Sequence, residues 1–170
     1  MQNDDLRRNI NYTWCRERHA IGDELDWMRV NGMSKVKLSG PVILVTGAFD
    51  LMHVGHMRLL FMARERAGKH GTVVCAMNSD ESVRESKGQG RPIMTWAERA
   101  ATLAYMPIDV LVEFDSEDEL VELVSYIKPT LQICGPDYMN KPTTANIPVA
   151  CVRESGMRTS VLIERIKKIK

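Results

Sequence analysis

The stretch "PVILVTGAFDLMHVGHMRLLFMARERAG", residues 41–68, constrains the fold of this chain more than any other. It opens as a β-branched apolar run, turns at Gly47, and continues from residue 53 to 68 with helical periodicity. A strand that passes through a glycine turn directly into a helix is half of a βαβ unit, whose next strand lies parallel to the first. The same stretch sets His53 and His56 three residues apart at the mouth of the helix. A hydrophobic core has no need of that arrangement, whereas a phosphate does.

The alternation continues along the chain. Strand-like runs fall at 71–78, 108–114, 130–135 and 147–152, and helical segments at 95–106 and 116–127. Ser116 followed by Glu119 is a capping-box signature. The final segment, "TSVLIERIKKIK", has Thr159 or Ser160 as its expected N-cap and lysines where the helix dipole favours them. Five strands joined by right-handed crossovers predict an α/β fold, a doubly wound five-stranded parallel sheet of Rossmann-like type. That domain is expected over residues 41–170. Residues 1–40 stand apart: "TWCRERHAIGDELDWMRVNG" (13–32) has the pattern of a helix ending at Gly32, and "SKVKLSG" that of a linker.

Bulk properties narrow the function. The 170 residues suffice for one domain with a full core, and 44% apolar with 26% charged residues is ordinary globular composition. A net charge of +1 gives no reason to expect nucleic acid or an anionic membrane as partner. No apolar run is long enough to span a bilayer, and "MQNDDLRRN" lacks the apolar region of a secretory signal, so a cytoplasmic location is expected. Cys15, Cys75, Cys134 and Cys151 are widely spaced with no C-x-x-C pair, which favours reduced core thiols over zinc ligands.

The turn at Gly47 has the physical make-up of an anion site. Unpaired backbone N–H groups and the positive end of a helix dipole meet there. Gly47 and Gly55 let backbone approach a ligand, and residues i and i+3 share a helix face, so His53 and His56 point the same way. The turn also lies at the carboxyl end of the first strand, where open α/β sheets bind ligands. Other phosphate signatures are absent: the chain has neither G-x-x-x-x-G-K-[ST] nor G-x-G-x-x-G. "GMSKVK" is similar to the lysine loop of class I aminoacyl-tRNA synthetases, but it precedes the histidine motif instead of following it, and is set aside.

"GAFDLMHVGH" resembles the G-x-F-D-x-x-H-x-G-H signature of the nucleotidyltransferase superfamily that includes cytidylyltransferases and related adenylyltransferases. "MNSDESVRESKGQGRPIMTWAERAATLAYMPIDVLVEF" and "KPTLQICGPDY" look most like the adenylyltransferase domain of bacterial ADP-heptose synthases, and "RTSVLIERI" resembles that group's last helix. The resemblance implies an H-x-G-H nucleotidyltransferase that joins a nucleoside triphosphate, foremost ATP, to a phosphorylated small molecule such as heptose 1-phosphate. Pyrophosphate is released, and Mg²⁺ enters mainly on the triphosphate. It assigns His53, His56 and Lys87 to catalysis, with Lys87 on the glycine-flanked loop "ESKGQGRP". It assigns Gly47, Ala48, Phe49, Gly55, Gly135, Asp137, Arg158, Thr159 and Ser160 to the nucleotide. Asp50, Asn78, Asp80, Arg91 and Arg99 fall on the acceptor side, and Asn78 and Asp80 also read as caps of the next helix. Asp50 reads equally as an N-cap or as a residue that helps hold Mg²⁺, Arg91 as a ligand of the acceptor phosphate, and Arg99 as that or as the partner of a surface carboxylate.

Two positions depart from the group's pattern: Pro136 in "GPDY" removes a backbone donor near the base, and Arg158 stands where a serine is usual. They leave open a cytidylyltransferase acting on glycerol 3-phosphate or a similar alcohol phosphate. A non-catalytic nucleotide-binding module is the alternative of another class. A homodimer is the default assembly, and a separate kinase is a possible partner of residues 1–40.

Overall fold

The computed structural model describes residues 28–29, 37–135, 147–152 and 156–169, the side chains of 28–29 excepted. Its strands are β1 (Met28–Arg29), β2 (Val42–Gly47), β3 (Thr72–Asn78), β4 (Val110–Phe114), β5 (Leu131–Cys134) and β6 (Val149–Cys151). Its helices are α1 (Val54–Ala67), α2 (Asp80–Lys87), α3 (Trp96–Leu103), α4 (Glu117–Ile127) and α5 (Thr159–Lys167). All strands pair in parallel, in the order β1-β4-β3-β2-β5-β6.

The five expected strands are therefore present, with the two-residue β1 added at the edge beside β4. That addition corrects the expected helix over 13–32 at Met28 and Arg29, which are extended and pair with Val112 and Glu113. The remainder of the expected helix, with Cys15, lies outside the described residues.

The chain runs outward from β2 to β3 to β4, then crosses back to place β5 on the other side of β2. Right-handed crossovers in opposite directions put their helices on opposite faces. Accordingly α1 and α3 cover one face, where Leu59, Leu60, Ala63, Trp96, Ala100 and Leu103 pack against Ile43, Val45, Val73, Cys75 and Ile133. On the other face α4 packs Leu120, Leu123 and Ile127 against Leu44, Val74, Ala76 and Val112. The sheet is buried on both sides, which is why its strands read as nearly continuous apolar runs.

Helix starts show how local chemistry fixes the elements. Thr95 and Glu98 form a full capping box at α3. At α4, Ser116 accepts the N–H of Glu119, but the Glu119 carboxylate takes the N–H of Asp115 instead of completing the expected reciprocal box. Asp80–Lys87 is a helix that the sequence reading left out. Ser79 caps it and Gly88, at φ 94°, ends it, so Lys87 is the last residue of a helix and not part of a loop.

Strand order reverses between β2 and β5, and the crevice at their carboxyl ends is where a doubly wound sheet receives ligands. Gly47 ends β2 there, and Gly135 follows β5.

Candidate nucleotide site

Between β2 and α1 the chain makes a constrained turn. Phe49 and Leu51 adopt left-handed backbone, φ 51° and 49°, a conformation costly for side chains of this kind and held only where surroundings enforce it. A Cβ at Gly47 would stand 3.3 Å from the Phe49 ring, so the glycine makes room for that ring to fold back into the core.

Asp50 is what enforces the turn. Its side chain is 1% exposed, and both carboxylate oxygens are engaged. Oδ1 accepts the N–H of Met94, and Oδ2 accepts the N–H of Ile93 and the Nε–H of Arg91, at 2.8–3.0 Å. Burial by itself raises a carboxyl pKa. Here the amides of Met94 and Ile93 and the Arg91 guanidinium outweigh it and hold Asp50 below the usual carboxylate range. The expectation of Asp50 as N-cap is corrected: α1 is capped by His53, whose Nδ1 accepts the N–H of Gly55 at 3.1 Å. Three hydrogen bonds thus engage the Asp50 carboxylate, and the described residues contain no group of three His, Cys, Asp or Glu that could hold a metal ion.

The cap fixes His53 as a neutral ring, since Nδ1 must carry a lone pair and the proton then sits on Nε2. His56, one turn on, stacks on it with centroids 3.8 Å apart and planes 19° apart. The Phe49 ring lies 5.3 Å from His56 on its other contact. Burial, then the neighbouring His53 and Lys87, push the His56 pKa down to about 3, against an opposing pull from Asp50. Burial lowers His53 as well. Nδ1 of His56 is buried and has no hydrogen-bond partner among the described residues. A buried polar atom left so carries a cost that an incoming ligand would relieve.

Other expected site residues gather around this pair. Lys87 is close enough to His56 to act on its titration. Arg91 pairs with Asp50. The Thr159 hydroxyl donates to the Asp50 carbonyl at 2.7 Å, drawing the start of α5 onto the same turn. Thr159 is the first helical residue and Arg158 the N-cap, with no side-chain cap bond, so neither Thr159 nor Ser160 caps α5 as expected.

Some residues fall elsewhere. Asn78 donates from its amide to Ser82, and its carbonyl faces Arg99. Asp80 borders a hollow of about 450 Å³ at the carboxyl ends of β3 and β4, with Ser82, Glu113 and Asp115 among its walls. Arg99 has no exposed surface, which does not fit direct binding of substrate, and it pairs instead with Asp80, a partly exposed carboxylate, as its second expected reading had it. Gly135 follows the carboxyl end of β5, beside β2, Ser160 is exposed, and Asp137 and Pro136 lie outside the described residues. Cys134 and Cys151 are free thiols with sulfurs 2.9 Å apart on neighbouring strands, and burial together with Cys151 pushes Cys134 up to about 12.

The sequence model of the cytidylyltransferase-like family matches residues 44–165. The chain belongs to that family. It is 36% identical over 132 residues to the bifunctional protein HldE of Campylobacter jejuni (strain RM1221), covering 74% of this chain and 28% of the relative. With HldE of Helicobacter pylori (strain P12) the identity is 34% over 132 residues, covering 75% of this chain and 28% of the relative. The chain thus spans little more than a quarter of these relatives. A solved structure, the lipopolysaccharide core biosynthesis protein from Thermoplasma volcanium GSS1, shares the fold. Its TM-score is 0.52 at 18% identity, covering 69% of this chain and 98% of that one. This is a nucleotidyltransferase-like domain related to HldE. No described helix is long and apolar enough to cross a membrane.

Proposed function

We propose that the protein transfers a nucleoside monophosphate, foremost from ATP, to a sugar 1-phosphate such as heptose 1-phosphate. The observation that carries the reading is the stacked His53–His56 pair, with Nδ1 of His56 buried beside Lys87 and unpartnered among the described residues. Two neutral imidazoles and an ammonium offer directed N–H donors to phosphate oxygens without the repulsion of a fully charged trio.

The chemistry needs no nucleophilic side chain. An oxygen of the acceptor phosphate, already anionic near neutral pH, attacks the α-phosphorus. The bond from that phosphorus to the bridging oxygen breaks, and pyrophosphate leaves with the electron pair. The protein aligns the two anions and stabilises charge growing on the α-phosphoryl and leaving oxygens. His53 and His56 donate to those oxygens, Lys87 neutralises the leaving group, and the N-terminus of α5 at Thr159 supports the triphosphate. The nucleotide enters as its magnesium complex, so the ion arrives with the substrate.

Pyrophosphate release tests this, using the purified protein, Mg²⁺, four common nucleoside triphosphates and a panel of phosphorylated sugars and polyols, with His56→Ala as control. Release with ATP and a sugar 1-phosphate, lost in the variant, is the expected result. Release confined to CTP and an alcohol phosphate would replace the substrate assignment. A triphosphate that raises the melting temperature with no release from any pair would leave a binding module.

A further inference from the structure

Arg99 lies mid-way along α3 with its side chain fully buried, where a guanidinium must give its donors to protein groups. Nη1 donates to the carbonyl of Ala48 at 2.5 Å. Nη2 donates to the carbonyl of Asn78 at 3.0 Å and to Oδ1 of Asp80 at 2.7 Å. These groups belong to three different segments: the constrained turn before the histidines, the end of β3, and the first residue of α2.

α2 is held weakly by packing. Of its eight residues only Val83 is buried, so apolar contact alone does not fix the direction of its axis. Polar contacts at its start do so: the Ser79 cap, the bond from Asn78 to Ser82, and the Arg99–Asp80 ion pair. Eight residues of helix span about 12 Å, and Lys87 sits at the far end, so a small tilt at Asp80 displaces the ammonium by a larger distance. Of these contacts, only Arg99 also grips the histidine turn directly.

Granting the transfer reading, we propose that Arg99 and Asp80 form a strut that sets α2 against the histidine turn and so places Lys87 beside His56. Arg99 is a positioning residue that acts through Lys87 and touches neither nucleotide nor acceptor. The rival reading is that Asp80, on the wall of the 450 Å³ hollow, binds the acceptor itself.

Asp80→Asn tests the strut, because Asp80 is 26% exposed and the change keeps its shape while removing the ion pair. Steady-state pyrophosphate release is measured for the wild type, Asp80→Asn, Lys87→Ala and the double variant. Hydrogen exchange across α2 is followed in the wild type and Asp80→Asn. The expected result is a fall in kcat of roughly tenfold for Asp80→Asn with acceptor KM unchanged, less than about twofold further loss in the Lys87→Ala background, and faster exchange in α2. Arg99→Lys, unable to span all three acceptors, is expected to follow Asp80→Asn. Equal losses in both backgrounds, a raised acceptor KM, or unchanged α2 exchange would overturn the strut. A wild type that releases no pyrophosphate defeats the transfer reading alone, and unchanged α2 exchange in Asp80→Asn then still overturns the strut.

Discussion

His56 gives the protein a titration signature that does not depend on knowing its substrates. In the fold its pKa lies at about 3, against 6.5 for an unperturbed histidine. A depressed histidine pKa means that below 6.5 the unfolded chain takes up a proton that the native state refuses. The stabilising contribution is therefore present above that pH and is lost as pH falls toward the folded value. The slope approaches about 1.4 kcal/mol per pH unit, which integrates to about 2 kcal/mol between pH 7 and pH 5. His53, also lowered by burial, acts in the same direction. Asp50, lowered from a carboxylate value of 3.8, contributes its loss at more acid pH. The assay is urea unfolding of the wild type and His56→Gln across that interval, glutamine filling similar space without titrating. The wild type should lose about 2 kcal/mol more than the variant over the interval. An equal loss in both would show that His56 is not held neutral, and the picture of a neutral imidazole awaiting an anion would fall with it.

Three further outcomes are expected. His56→Ala lowers kcat for pyrophosphate release by on the order of 10²-fold or more, as loss of an oxyanion donor does, with a native circular dichroism spectrum. Asp50→Asn, which leaves Arg91 facing a neutral group and one carboxylate acceptor fewer, costs about 2–4 kcal/mol by denaturant titration. On the proposed transfer, in which Mg²⁺ would enter with the nucleotide, chelation of Mg²⁺ is expected to stop transfer while leaving the melting temperature unchanged.

The fold was legible because its signals are local. β-branched runs of four to seven residues, buried on both faces, announce parallel strands, and Gly47 with the paired histidines marks the first βα turn. α2 was missed for an equally physical reason. "DESVRESK" carries only one apolar residue that reaches the core, Val83, so it lacks the periodic apolar stripe by which helices are recognised. Its signals were Ser79 as N-cap, acidic residues in the first turn and Gly88 at the end, which together outline a short helix. β1 could not be read at all: two residues that pair at an edge leave no pattern.

At the site, residue types were legible and their partners were not. Asp50 looked like a cap because aspartate before a helix usually is one, yet its carboxylate is taken by amides 43 and 44 residues further along the chain. Once Asp50 is so engaged, the cap falls to His53, and that cap fixes which nitrogen of His53 carries the proton. Stacking on His53 and burial then determine the state of His56. Arg99 follows the same logic, since its carboxylate partner is 19 residues away and the turn it braces is 51 away. The histidine motif is therefore a consequence of long-range polar contacts as much as of its own spacing. A chain that kept H-x-G-H but lost Asp50 or Arg99 would keep the signature while losing the contacts that shape the histidine turn.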